Sequence, residues 1–496
     1  MNNKNFLAKI TSTSESYWNN LLVEKKFEVF HETYLKSSAY KKFLKIQKWH
    51  KKTLTDANFQ KLPTMTKDNY LKKFPMEELV LKDSLYQPLV LTSTSGSTGE
   101  PFYFPRTKVV DEQYSYIIER FIKEGGDTKN EPTLVLICFG MGVWIGGLIT
   151  YQAFETAGIR NNLPISILTP GVNKVEIIKA LRLIAPNYKN IIMAGYPPFI
   201  KDCIDEAKIE KIDFSKYTMR FIFAAEVFTE NFRDYICHKT KVKNIYRDTL
   251  SIYGSADIGA MAWETGVLIL LKRLLLKKEG QLESFFGAKH TMPTICYFNP
   301  SWLQFESKDG EVLISGKNAI PFVRYGIGDH GGTFTFSDIK ERLNKLNIDF
   351  DLEIKNAGLS DAIIKLPCVY VYERKDLSTT LYGLQIYPEV IRESLIHDIL
   401  QSYFTTKFSM STKFNNKQDQ YLEIVIEIKK GIKVIPKEIK YLALKNIVEN
   451  LHKSSSEFAE LKKHIGNRAH PKLIFTHYED KKYFKPGIKQ KWVRKS

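Results

Sequence analysis

Apolar positions along the chain change their period near residue 89. Before it, stretches such as SYWNNLLVEKKFEVFHETYLK (16–36) set hydrophobic residues among Lys and Glu at helical intervals, which predicts a helical segment over residues 1–88. After it, short β-rich runs (PLVLTS, TLVLICFG, PISIL, NIIMAGY, MRFIFAAE) alternate with helical stretches such as KVEIIKALRLI and FIKDCIDEA. Such alternation predicts α/β units around a largely parallel sheet. Beyond Gly358 the run YLEIVIEI and the helix EIKYLALKNIVENLHK predict a smaller α+β unit. Turn residues in NAGLSD put the boundary near residues 356–361, dividing the chain into 1–357 and 358–496. There is no internal repeat or low-complexity linker.

One stretch breaks the alternation in a way that points to chemistry. LTSTSGSTGEPFYFP (91–105) places a hydroxyl- and glycine-rich centre between two strand-like flanks. Successive backbone N–H groups of small residues form a nest for phosphate oxygens, and Ser and Thr hydroxyls add donors. Gly96 and Gly99 leave room for that approach. A Walker A loop requires Lys and then Ser or Thr after its last glycine, followed by a helix. Here Glu100, Pro101 and a β-like run follow, which excludes it.

Composition narrows the setting. With 496 residues, 43% hydrophobic and 13% aromatic, the chain has material for two or more packed domains. The net charge of +18 is spread along the chain with no nucleic-acid module, so no nucleic-acid partner is expected. Cys138, Cys203, Cys237, Cys296 and Cys368 are odd in number and lack CxxC spacing, which predicts reduced, buried thiols. Cys237 and His238 have no ligand-spaced partner for a metal. The most apolar run, VLILLKRLLLKK from Val267, is interrupted by Lys272 and Arg273 and reads as a core-facing helix; no membrane span and no signal peptide is expected. A cytoplasmic protein follows as the expectation.

Several further stretches, in order, carry a resemblance. TSGSTGEP (94–101) resembles the phosphate loop of the adenylate-forming superfamily, the acyl-CoA synthetases and adenylation domains. AAEVFTENFR (224–233) is similar to its GAE segment, IYGSADIGA (252–260) to its YGxTE motif and PFVRYGIGDHGG (321–332) to its RYxxGD block. GLSDAIIK (358–365) resembles its hinge motif, and LYGLQIYPEVIRESL (381–395) the segment that follows. The phenylacetate-CoA ligase branch, with its capsule-biosynthesis and acyl-protein synthetase relatives, is the most similar; TLTDANFQKLPTMTKDNYL (53–71) looks like that branch's leading segment.

The resemblance implies an α/β fold with a large N-terminal adenylate-forming domain and a smaller mobile α+β C-terminal domain. It implies an ATP-dependent ligase that joins a small carboxylic acid to AMP, releases pyrophosphate and passes the acyl group to coenzyme A, or alternatively to a protein thiol or an amine. AMP transfer to a hydroxyl and a non-catalytic nucleotide- or acyl-binding relative are the remaining alternatives. By the same resemblance, Thr94, Ser95, Gly96, Ser97, Thr98 and Gly99 clasp the β- and γ-phosphates. Tyr253, next to Gly254, stacks on adenine. Asp329 accepts from the ribose hydroxyls, because a carboxylate is a pure acceptor. Arg324 is a second phosphate or ribose contact, Asp257 holds Mg2+, and Asp361 marks the hinge. Lys489, or alternatively Lys491, supplies the cation that stabilises charge in the first transition state.

The sequence also departs from the family pattern. Ala256 stands where the motif has Thr and Asp257 where it has Glu; Leu359 and Ala362 replace the hinge Arg and second Asp. LPCVYVYERKDLSTTL (366–381) reads as an insertion. FGMGVWIGGL and MAGYPPF fall where the family builds its carboxylate pocket, so Phe139, Trp144, Tyr196, Ala225 and Glu226 are the candidate pocket residues.

Overall fold

The computed structural model describes residues 6–50, 54–82, 84–93, 102–125, 131–143, 145–287, 292–372, 378–432, 434–480, 482–484 and 493. The leading segment is helical as its periodicity requires, with helices Glu15–Lys36 and Ser38–Ile46. Ser14 and Ser37 cap them through side-chain oxygens that accept the N–H groups of Tyr17 and Tyr40.

PLVLTS does not join the main sheet. Its strand β1 (Val90–Ser93) pairs antiparallel with β2 (Tyr103–Arg106), in register Ser93 to Tyr103. The main sheet holds β3 (Thr133–Cys138), β4 (Ile165–Leu168), β5 (Asn190–Gly195), β6 (Thr218–Ala224), β7 (Thr249–Ser255), β8 (Gly259–Trp263), β9 (Thr294–Tyr297), β10 (Leu303–Lys308), β11 (Glu311–Gly316), β12 (Phe322–Phe334) and β13 (Cys368–Tyr372). Their order is β10-β11-β12-β13-β9-β8-β7-β6-β5-β3-β4. Only half of this sheet matches the expected parallel pattern. The strands β4, β3, β5, β6 and β7 are parallel because helices cross between them; from β7 onward neighbouring strands pair antiparallel. The helix Gly266–Leu276, the apolar run at Val267, is buried against the sheet.

The boundary expected at 356–361 does not separate the sheets. The stretch read as an insertion supplies β13, which lies between β12 and β9 inside the large sheet. The chain leaves that sheet only afterwards. It forms the hairpin β14 (Thr379–Leu381) and β15 (Leu384–Ile386), then a three-stranded sheet of β16 (Phe404–Phe414), β17 (Gln420–Ile428) and β18 (Lys472–Thr476) with helices Lys437–Ser454 and Ser456–Ile465. One buried apolar cluster runs from Ile200 and Ile204 on the large sheet's helix through Leu381 and Ile391 to Ile424 and Phe458. All five cysteines are buried and unbridged. Among the described residues, no helix is long and apolar enough to cross a membrane.

Candidate active site

Parallel strands with helical crossovers leave a crevice at their carboxyl ends, where each strand gives way to a loop. Four adjacent strands do so here. β3 ends before Phe139, β5 before Tyr196, β6 before Ala225 and Glu226, and β7 carries Tyr253 and Gly254 near its end; all six residues line one cavity of about 410 Å³. Phe139 and Tyr196 meet edge to face, with ring centroids 5.1 Å apart. Burial pushes the Tyr196 hydroxyl well above its ordinary pKa. Ala225 sits in the left-handed region at φ +73°, a strained turn for a residue with a Cβ. Gly254 is required sterically, since an added Cβ would lie 2.6 Å from the Gly259 carbonyl oxygen.

Asp329 arrives from β12 on the antiparallel side, and the Tyr253 hydroxyl donates to it at 2.6 Å. The adenine and ribose candidates therefore stand side by side on the cavity wall. Asp257 lies in the turn between β7 and β8, where it accepts a 2.6 Å hydrogen bond from Tyr325 and pairs with Lys67 at 3.2 Å. That environment does not fit a metal held by the protein: an ammonium already compensates the carboxylate, and the described residues contain no group of three His, Cys, Asp or Glu side chains able to hold an ion.

Arg324 is displaced from its expected role. It is buried outside the cavity lining, paired with Glu306 at 2.5 Å and donating to the Leu62 carbonyl. Asp361 is also away from the cavity; its carboxylate pairs with Arg247 at 2.6 Å, and that contact holds it below the ordinary carboxylate range. Leu359 and Ala362 are buried in the core of the large sheet. The loop residues Thr94, Ser95, Gly96, Ser97, Thr98 and Gly99, together with Trp144, Lys489 and Lys491, lie outside the described residues. Their described neighbours are informative: Ser93, which precedes the loop, and Val493, which follows the lysines, both line the cavity.

Several cavity residues went unrecognised in the sequence. Lys67 stood within the quoted stretch TMTKDNYL without an assigned role; it follows the cap residue Thr66, and its ammonium lies 5.8 Å from the Phe104 ring centroid. Gln420 and Glu457 come from β17 and the helix Ser456–Ile465. Glu226 accepts from the Gly383 N–H and from Gln420 at 2.8 Å, which ties the GAE-like segment to the C-terminal residues. Behind that segment, Arg233 bonds Glu230, Glu264 at 2.8 Å and Thr249 at 2.7 Å. Burial opposes ionisation of Glu230, yet Arg233 and Lys272 hold its carboxyl down at about 2. Through Thr249 this network joins the GAE-like segment to the start of β7, the strand that carries Tyr253.

With this geometry in place, comparison with known proteins shows the fold. No family model matches the sequence, and no curated protein does. Solved structures do match. The chain resembles 2-hydroxyisobutyryl-CoA ligase in complex with 2-HIB-AMP and CoA in the thioesterification state, with TM-score 0.64 and 11% identity over 99% of this chain and 92% of that one. The same ligase in the postadenylation state with 2-HIB-AMP gives TM-score 0.53 at 12% identity over 99% and 92%. Its open conformation gives 0.50 at 12% identity over 97% and 91%. The fold is that of the adenylate-forming CoA ligases. More particularly, of these three states the chain overlaps best with the one described for thioester formation.

Proposed function

We propose that this protein is an ATP-dependent carboxylate ligase: it activates a carboxylic acid as an acyl adenylate, releases pyrophosphate, and transfers the acyl group to a thiol or amine. The observation that carries this reading is the convergence of Tyr253, Asp329, Glu226, Phe139 and Tyr196 on one cavity in an adenylate-forming fold. Coenzyme A is the acceptor that the sequence resemblance implies.

In this reading, the Tyr253 ring packs on adenine and Asp329 accepts from the ribose hydroxyls, with the Tyr253 hydroxyl fixing the carboxylate's orientation. The loop after Ser93 surrounds the β- and γ-phosphates. Magnesium enters with the nucleotide as MgATP, and Lys67 neutralises Asp257. Phe139 and Tyr196 form the apolar floor for the acyl chain. Lys489 is the cation for the first transition state: it lies four residues before Val493, a separation of at most about 14 Å along extended chain. Asp361 remains the pivot if the C-terminal unit turns between half-reactions.

ATP–pyrophosphate exchange with magnesium over aryl, fatty and amino acids tests the reading. Exchange supported by one class of acid is expected; silence with every class overturns it. Lys489→Ala should abolish exchange while ATP still binds. An unchanged rate there, with loss in Lys491→Ala, transfers the role to Lys491.

A further inference from the structure

Two helices packed on the large sheet close one end of the cavity. Gly146, Ile149 and Thr150 share a face of the helix Ile145–Asn161, three and four positions apart, and line the cavity together with Tyr114 from the helix Lys108–Glu124. Phe139, Ala224 and Ile252 complete that end. A Cβ on Gly146 would lie 3.5 Å from the Phe139 side chain, and Ala224 pairs with Ile252 across β6 and β7. Tyr114, Ile149, Phe139 and Ile252 belong to one buried apolar cluster, whereas Tyr253, on the side assigned above to the nucleotide, packs against another. Against this carbon lining stand the hydroxyls of Tyr114 and Thr150, both on buried residues.

The Thr150 Oγ lies 2.7 Å from the Gly146 carbonyl oxygen, a pure acceptor, so the Thr150 proton points there and its lone pairs remain for a ligand. The Tyr114 hydroxyl stands 3.5 Å from the Thr150 Oγ. Ordinary O–H···O contacts span about 2.5–3.0 Å, so that gap is wide for a direct bond. It suits an inserted oxygen: an atom about 2.8 Å from each hydroxyl completes a triangle over it. Such an atom must accept from Tyr114 and donate to Thr150, which a hydroxyl does and a carbonyl or a methyl does not. We propose that the acid activated here carries a hydroxyl group at the end of a short apolar body, and that Tyr114 and Thr150 select it by that hydroxyl. This rests on the acyl-adenylate reading above. The acid's carboxyl then faces the other side, where Tyr253 and Asp329 stand. An acid without the distal hydroxyl fills the pocket but leaves the buried pair short of a partner, and that difference is the selectivity.

The test compares ATP–pyrophosphate exchange by the full-length protein within matched pairs: benzoate and para-hydroxybenzoate, phenylacetate and para-hydroxyphenylacetate, pentanoate and its terminal hydroxy acid. In one pair the hydroxy acid should be preferred by about tenfold or more in kcat/KM. Tyr114→Phe, which removes only the oxygen, should lower kcat/KM for that hydroxy acid about tenfold more than for its partner. Thr150→Val, of similar shape, should erode the same preference. Equal use of both acids in every pair that supports exchange, or preference for the unsubstituted one, overturns the proposal while leaving the adenylation reading intact. Equal losses for both acids in both variants remove the role of Tyr114 and Thr150. Absence of exchange with these pairs and with every other class of acid overturns both readings.

Discussion

Tyr253 and Asp329 lie 76 positions apart in the chain, yet their side chains share a 2.6 Å hydrogen bond. Charge-assisted contacts of a carboxylate contribute about 1.5–3 kcal/mol, so Asp329→Asn should weaken ATP binding about ten- to hundredfold. Titration calorimetry measures it, and an unchanged Kd would remove the ribose role. Glu457 makes a separate prediction about stability. Its folded pKa of about 7 lies above the ordinary 4.5, so the folded state binds this proton more tightly than the unfolded chain does. The resulting stabilisation is complete below the unfolded pKa and is lost as pH rises through about 7. Glu457→Gln lacks the titration. Relative to that variant, the wild type should lose on the order of 3 kcal/mol between pH 4.5 and 8. Urea unfolding at the two pH values reads it, and parallel behaviour of the two proteins would mean that the partial burial of Glu457 does not raise its carboxyl.

At the scale of elements, the strand ends explain both the successes and the failure of the sequence reading. TLVLICFG, NIIMAGY, MRFIFAAE and IYGSADIGA each combine a strand with the residue that follows it into the crevice, so element and site were legible together. Arg324 and Asp329 were both taken from the RYxxGD block, but five residues separate them. The block is not a regular strand: Arg324 has φ +52°, Gly328 has φ +87°, and the register with β11 slips between Gly326 and His330, so simple alternation does not predict where either side chain points. Asp329 lines the cavity beside Tyr253, Tyr325 stays buried and reaches Asp257, and Arg324 turns inward to Glu306. The turn joining β14 and β15 is the other exacting element. Gly383 has φ +83°, and a Cβ there would lie 2.6 Å from the Tyr196 ring. Gly383→Ala should therefore cost about 1–3 kcal/mol through overpacking and lower Tm; the same melting curve as wild type would show that the turn does not press on Tyr196.

Across the whole molecule, the C-terminal unit is fastened to the large sheet by polar and apolar contacts. Arg468 pairs with the buried Asp202 at 2.7 Å and donates to Tyr382 at 2.9 Å, and Lys201 pairs with Asp419 at 2.6 Å. Any turn of the C-terminal unit between half-reactions must part these pairs. Removing one partner of a fully buried pair costs about 3–5 kcal/mol; Arg468 is partly exposed, so Arg468→Met should cost about 2 kcal/mol. Thermal unfolding together with exchange and acyl-transfer rates reads the outcome. Unchanged stability would show that the pair does not fasten the unit.

What the sequence determined by itself was local: strand runs, the turn residues after them, and the expectation that Tyr253 and Asp329 belong to one site, because a strand and the residue at its end are covalent neighbours. Tertiary structure alone decided that the supposed insertion is β13, that Asp361 belongs beside Arg247, and that Lys67, Gln420 and Glu457 close the cavity. Glu457 lies hundreds of residues from Tyr196 and Glu226, and no local pattern marks it. It reaches the site because the helix Ser456–Ile465 buries its apolar face in a core shared with the large sheet. Apolar burial is non-directional, so its pattern in a sequence shows which residues go inside but not which distant elements they meet there.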